Sequence, residues 1–261
     1  MGFFAEYWEW IPSNWKVVLM EKNTDQMACS VWSTSSTLCA GFNWIQRTPF
    51  PKIPADQPFI LLSNHLTYLD ILVHLHLSFC SFVARKETQV IQSVYVDRFD
   101  VNSRQKTLDA ISDRVKSHQN YDHPLLIFCE GTITNGTAVP KFKVGAFTPG
   151  CAFVIALLRY NNPFYNVPWV AKSGLMNMLK MGASPHNSVS ITYHTYFPSS
   201  QETSDPVLYM NGVRKFFASE LGLPMSSYGY HEHVVGIRYY RGDINFEEAE
   251  KEIQSLQEQN L

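Results

Sequence analysis

A chain of 261 residues, 45% hydrophobic and 17% charged, holds enough apolar material for one substantial core and is too apolar to stay disordered. Its formal charge of −2, without a long run of Lys or Arg, lacks the basic field of nonspecific DNA or RNA binders, so no nucleic-acid partner is expected. The five cysteines (Cys29, Cys39, Cys80, Cys129, Cys151) are widely spaced and match neither a disulfide framework nor a CxxC zinc site, which points to a reducing compartment.

The N-terminus has no basic start followed by an apolar stretch and a small-residue cleavage site, so a cleaved signal peptide is not expected. Six of the first fifteen residues are aromatic (Phe3, Phe4, Tyr7, Trp8, Trp10, Trp15). Such rings suit a membrane interface, or else tuck into a core. From Gln26 to Gln46 the chain carries no charge over 21 residues, about the length of a spanning helix. Nine of the 21 are Gln, Ser, Thr or Asn, so an interfacial or re-entrant helix is expected in preference to a crossing, with a buried helix as the alternative.

The proline-rich run Thr48–Pro58 is the clearest punctuation. It separates a membrane-associating segment (1–48) from the main domain (49–230), which a tail (231–261) with a short acidic helix follows. After the prolines, β-branched apolar runs alternate with helical patterns: strands at 59–63, 81–85 and 91–97, and a helix at 69–79. Asn102 or Ser103 caps a helix with Leu108, Ile111 and Val115 on one face, and a buried strand then ends at Glu130. Further strands fall at 152–160 and 188–197, with a helix around 171–181 between them. Asp205-Pro206 starts a helix that Gly222 stops. The expected fold is a single α/β domain, a mixed sheet with helices on both faces.

Within that frame His65 and Asp70 stand out. On one continuous helix residues five apart point about 140° away from each other, so the two side chains meet only if His65 precedes the helix. The strand runs out at Ser63 and the helical pattern begins near Thr67, which allows it. A carboxylate on one imidazole nitrogen fixes the tautomer and makes the other nitrogen a general base for an alcohol. The bland alternative is a histidine satisfied at a strand end. A second constellation follows about sixty residues later, where a buried strand opens into Glu130-Gly131-Thr132, a turn whose backbone N–H groups and hydroxyls suit a phosphate. Gly131 and Gly136 have P-loop spacing, but Thr137 stands where the lysine belongs, which disfavours nucleotide hydrolysis. Lys141 and Lys143 downstream either add charge to this turn or are merely solvated. The pairs His74/His76 and His231/His233 lack a convincing third ligand at short spacing, so no metal is expected.

The motifs "NHLTYLD", "VYVDRFDVNSRQKT", "FCEGT", "KFKVGAF", "LLRY" and "SDPVLYMNGVRKFFASELGLP", in this order, resemble the glycerophospholipid acyltransferase family. The likeness is strongest to the lysophosphatidylcholine and lysophosphatidylethanolamine acyltransferases, and covers roughly residues 58–230. The resemblance implies transfer of an acyl group from acyl-coenzyme A, a co-substrate and not a bound cofactor, to the free hydroxyl of a lysophospholipid. It casts His65 as the base and Asp70 as its partner, Glu130, Gly131 and Thr132 as acceptor-binding residues, and Arg98 as the contact to the acceptor's phosphate. It also implies membrane association, at the endoplasmic reticulum with the site facing the cytosol. Glu130 would repel a phosphate, so it is expected to organise the loop or hold a hydroxyl. The connection at residues 84–98 is shorter than in relatives, which leaves a lipid-binding member with impaired catalysis as an alternative. Acylation of lysophosphatidic acid or glycerol-3-phosphate, and thioester hydrolysis by the His–Asp pair, remain as others.

Overall fold

A computed structural model describes residues 42–78, 80–85, 94–96, 103–121, 123–168 and 174–258. In chain order these form β1 (Phe42–Arg47), β2 (Phe59–Ser63), α1 (Asp70–Ser78), β3 (Ser81–Arg85), β4 (Val94–Val96), α2 (Ser103–Lys116), β5 (Leu125–Phe128), β6 (Ala152–Asn161), α3 (Gly174–Ala183), β7 (Asn187–Tyr196), α4 (Ser200–Ser204), α5 (Pro206–Leu221), α6 (Tyr230–Arg241) and α7 (Phe246–Glu258).

The seven strands make one sheet in the order β1-β7-β6-β2-β5-β3-β4. Every neighbouring pair is parallel except β6 and β7, which run antiparallel. The short apolar runs of β2 and β5 occupy the interior, where both faces are covered and a strand reads as continuously hydrophobic. Alternation then sorts their side chains. Ile60, Leu62, Leu125 and Ile127 pack with Ile111 and Val115 of α2 and Tyr209, Val213 and Phe217 of α5. Leu61 and Leu126 face the other way, onto Leu69, Val73 of α1 and Met181 of α3. Helices thus cover both faces of the mixed sheet, as the sequence pattern predicts.

Helix α5 anchors one layer. Asp205 caps it by accepting from the backbone N–H of Val207 and Leu208, Pro206 occupies its first turn, and Gly222 ends it at φ 67°. Tyr209 and Phe217 on its inner face are fully buried. The Tyr209 hydroxyl donates to the Cys151 carbonyl at 2.7 Å, which satisfies its one polar atom inside the core.

Two boundaries differ from the sequence reading. Phe42–Arg47 is a strand paired in parallel with β7, so the sheet begins ahead of the proline-rich run, and positions 42–46 are not helical. The remainder of the aromatic, uncharged N-terminal stretch lies outside the described residues. At the other end the chain forms two helices where one was expected. Helices α6 and α7 are joined by Arg238, whose Nη1 donates to both carboxylate oxygens of Glu252 at 2.8 Å. Among the described residues no helix is long and apolar enough to cross a membrane.

Candidate active site

From β2 the chain turns through α1 towards β3, and from β5 it turns the opposite way, towards β6. Strands β2 and β5 are neighbours, so their carboxyl ends flank a topological switch point, where α/β sheets place ligand crevices. Both sequence constellations sit there, His65 just past β2 and Glu130-Gly131-Thr132 just past β5.

The turn after β2 is pinned to β6. The Asn64 side chain donates to the Leu158 carbonyl at 2.9 Å and accepts from the Leu158 N–H at 2.8 Å, a side-chain imitation of strand pairing. His65 follows, outside any helix, and α1 begins at Asp70. That is the turn-plus-helix arrangement the spacing requires. Nδ1 of His65 lies 2.8 Å from Oδ2 of Asp70. The same oxygen accepts from the backbone N–H of Leu66 at 2.6 Å and of Thr67 at 3.0 Å. The other oxygen, Oδ1, accepts from the Tyr160 hydroxyl of β6 at 2.5 Å. Asp70 is fully buried, and four donors converge on it, a set that suits an acceptor carboxylate. The His65 ring stacks on Phe128, centroids 3.9 Å apart and planes within 12°. With its side chain 12% exposed and Nδ1 occupied, the imidazole keeps Nε2 unpartnered among the described residues.

Across the crevice, Glu130 is buried, and Oε2 accepts from the His65 backbone N–H at 3.3 Å. Thr134 closes the loop, its N–H donating to the His65 carbonyl at 2.8 Å. Burial pushes the Glu130 carboxyl up to about 8, opposed by hydrogen bonds from the His65 backbone and the Thr134 side chain. Glu130 therefore ties the two turns together. Gly131 has φ 69°, and a Cβ there would lie 2.5 Å from Cε of Lys143. The absence of a side chain lets Lys143 cross the loop, with Nζ 4.1 Å from the Tyr230 ring centroid. Thr132 follows, half-buried in the same turn. Below the site, the buried His74 of α1 meets the Ser63 hydroxyl through Nε2 at 2.9 Å. Desolvation lowers its pKa to about 4, which keeps it neutral. Cys129 is buried and its thiol is held well above the usual range, chiefly by burial, so it is no nucleophile.

Five of the six residues singled out from sequence thus gather just past the carboxyl ends of β2 and β5. Arg98 lies outside the described residues. Tyr160, Asn64 and Phe128 belong to the site and were missed as site residues. Tyr160 closes the "LLRY" run, a motif whose order was legible but whose register against β2 was not.

An acyltransferase family model matches residues 47–156. Over 234 residues the chain is 30% identical to lysophosphatidylcholine acyltransferase 1 of Danio rerio, covering 85% of this chain and 44% of that protein. It is 34% identical to lysophosphatidylcholine acyltransferase of Drosophila melanogaster, covering 77% of this chain and 41% of that one. It is 33% identical to lysophospholipid acyltransferase LPEAT1 of Arabidopsis thaliana, covering 73% and 50%. The chain therefore spans half or less of the length of these curated relatives. A solved structure, the 1-acyl-sn-glycerophosphate (LPA) acyltransferase of Thermotoga maritima, is similar over 86% of this chain and 89% of its own, at 14% identity and a TM-score of 0.48. By its family-model match and these relatives, the chain belongs to the glycerophospholipid acyltransferase family.

Proposed function

We propose that this protein transfers a fatty acyl group from acyl-coenzyme A to the free hydroxyl of a lysophospholipid, with His65 as general base. The observation that carries the reading is the His65–Asp70 pair, buried on the Asp70 side and open at Nε2. With Asp70 on Nδ1, the lone pair of the imidazole sits on Nε2. As the acceptor hydroxyl attacks the thioester carbonyl, its proton passes to Nε2 and a C–O bond forms. The C–S bond then breaks, and the departing thiolate takes the proton from the imidazolium to give coenzyme A. A thioester is already activated, so a base and a positioned alcohol suffice without a covalent acyl-enzyme.

Gly131, Thr132 and the Lys143 ammonium would hold the acceptor's phosphate, with Arg98 as a further cation, while Glu130 fixes the loop. Family membership and the aromatic N-terminal segment support an acceptor drawn from a bilayer, at the endoplasmic reticulum with the site facing the cytosol. Purified protein in mixed micelles, given acyl-coenzyme A and a panel of lysophospholipids, is expected to release coenzyme A. His65→Ala is expected to fall to background while keeping wild-type melting. Equal release by both proteins would exclude His65 as the base. No release by folded wild type with any acceptor would favour a lipid-binding role.

A further inference from the structure

The His65 ring is held by one carboxylate, and that carboxylate is itself held from two directions. Its Oδ2 carries the imidazole and two backbone N–H groups, so its rotation is already fixed by the turn. The Tyr160 hydroxyl holds the other oxygen. It engages Oδ1 at 2.5 Å from the opposite side, across 90 residues of sequence. Strand β6 brings it there, two residues beyond the point where Asn64 clamps Leu158, so the turn bearing His65 and the strand bearing Tyr160 are locked in register.

We propose that Tyr160 is a positioning residue that sets the proton affinity of His65 by drawing electron density from Oδ1 of Asp70. A short hydrogen bond from a neutral donor to a buried carboxylate spreads its charge, and the less charge remains on Oδ2, the less strongly Asp70 stabilises an imidazolium. The phenol keeps its proton, because burial and the neighbouring carboxylate both oppose a phenolate. Tyr160 therefore tempers the pull of Asp70 on the imidazole. The other titratable groups facing the pair are Glu130 on the loop after β5, His74 on α1 and Tyr68 in the turn between them. Glu130 bonds instead to the His65 backbone N–H, and His74 to the Ser63 hydroxyl.

This proposal rests on His65 acting as the base, and a readout that needs no turnover separates the two. The His65 imidazole is followed by NMR titration in the full chain. Tyr160→Phe removes the donor and is expected to move the His65 midpoint up by about half a pH unit or more, given the strength of hydrogen bonds to charged groups. A fluorotyrosine placed at position 160 is a stronger donor of nearly the same shape and is expected to move the midpoint down. In acyl transfer, the acid limb of kcat/KM follows both shifts. A Tyr160 that merely fills space predicts no opposed pair of shifts. Unchanged His65 midpoints in the folded variants would overturn the proposal. If Tyr160→Phe fails to fold, the near-isosteric fluorotyrosine variant alone decides. Midpoints that move as expected in a protein without transferase activity would uphold Tyr160 and remove the proposed reaction.

Discussion

At the scale of single residues, the site combines groups whose environments push their protonation apart. Glu130 has its pKa raised to about 8 by burial, whereas an unfolded Glu titrates near 4.5. The folded protein thus holds a proton that the unfolded chain gives up. Its contribution to stability is complete below about pH 4.5 and is lost as pH rises through about 8. Glu130→Gln removes that titration while keeping an acceptor for the His65 N–H. Its melting temperature is expected to match wild type near pH 5 and to exceed it at pH 8 and above. Parallel melting curves for the two proteins across this range would show that Glu130 is not held neutral in the fold. His65, Asp70, Glu130 and Gly131 were legible in sequence because what places them is local: a histidine before a helix, a carboxylate in its first turn, a polar glycine turn after an apolar run. Tyr160 and Phe128 were not, because a side chain in the middle or at the end of an apolar strand reads as core. Only the register of β6 against β2 turns Tyr160 towards Asp70.

At the scale of elements, the turn between β2 and α1 is the part on which the site depends. The parallel ladder of β2 and β6 ends at Ser63 and Ala156, and Asn64 extends it by one side chain onto Leu158. Asn64→Ala leaves a buried N–H and a buried carbonyl unpaired, at about 1–3 kcal/mol for each such group. The urea midpoint is expected to fall accordingly, with loss of activity exceeding the loss of folded protein at zero denaturant. An unchanged midpoint would mean that water replaces the side chain without cost. Most strands and helices were readable from period and punctuation, down to the Asp205-Pro206 start and the Gly222 stop of α5. The exceptions have physical causes. β1 hides within an uncharged run and is fixed only by pairing with β7, as in Phe42 opposite Asn187. α6, with the sequence YHEHVVGIRYYR, is rich in β-branched, aromatic and Gly residues of modest helix propensity, and its Arg238 is tied to Glu252 of α7.

At the scale of the whole molecule, a mixed sheet covered on both faces leaves the carboxyl ends of β2 and β5 open at a switch point, and the chemistry gathers there. Two connections leaving in opposite directions bring together residues from distant parts of the chain: His65 and Asp70 from one turn, Glu130-Gly131-Thr132 from the other, a phenol from β6. Sequence order alone indicated the family, because several motifs in series are far more specific than any one. It left open how the site is assembled, since β5 lies beside β2 with α1, β3, β4 and α2 between them in the chain. The central claim is acyl transfer to a lipid hydroxyl with His65 as base. The most direct measurement of it follows thiol release and acylated lipid together, in micelles containing acyl-coenzyme A with and without lysophospholipid. The account predicts one thiol for each acyl ester formed, no release without acceptor, and loss of both products in His65→Ala. Thiol release that proceeds equally without acceptor would contradict it and mark the protein as a thioester hydrolase.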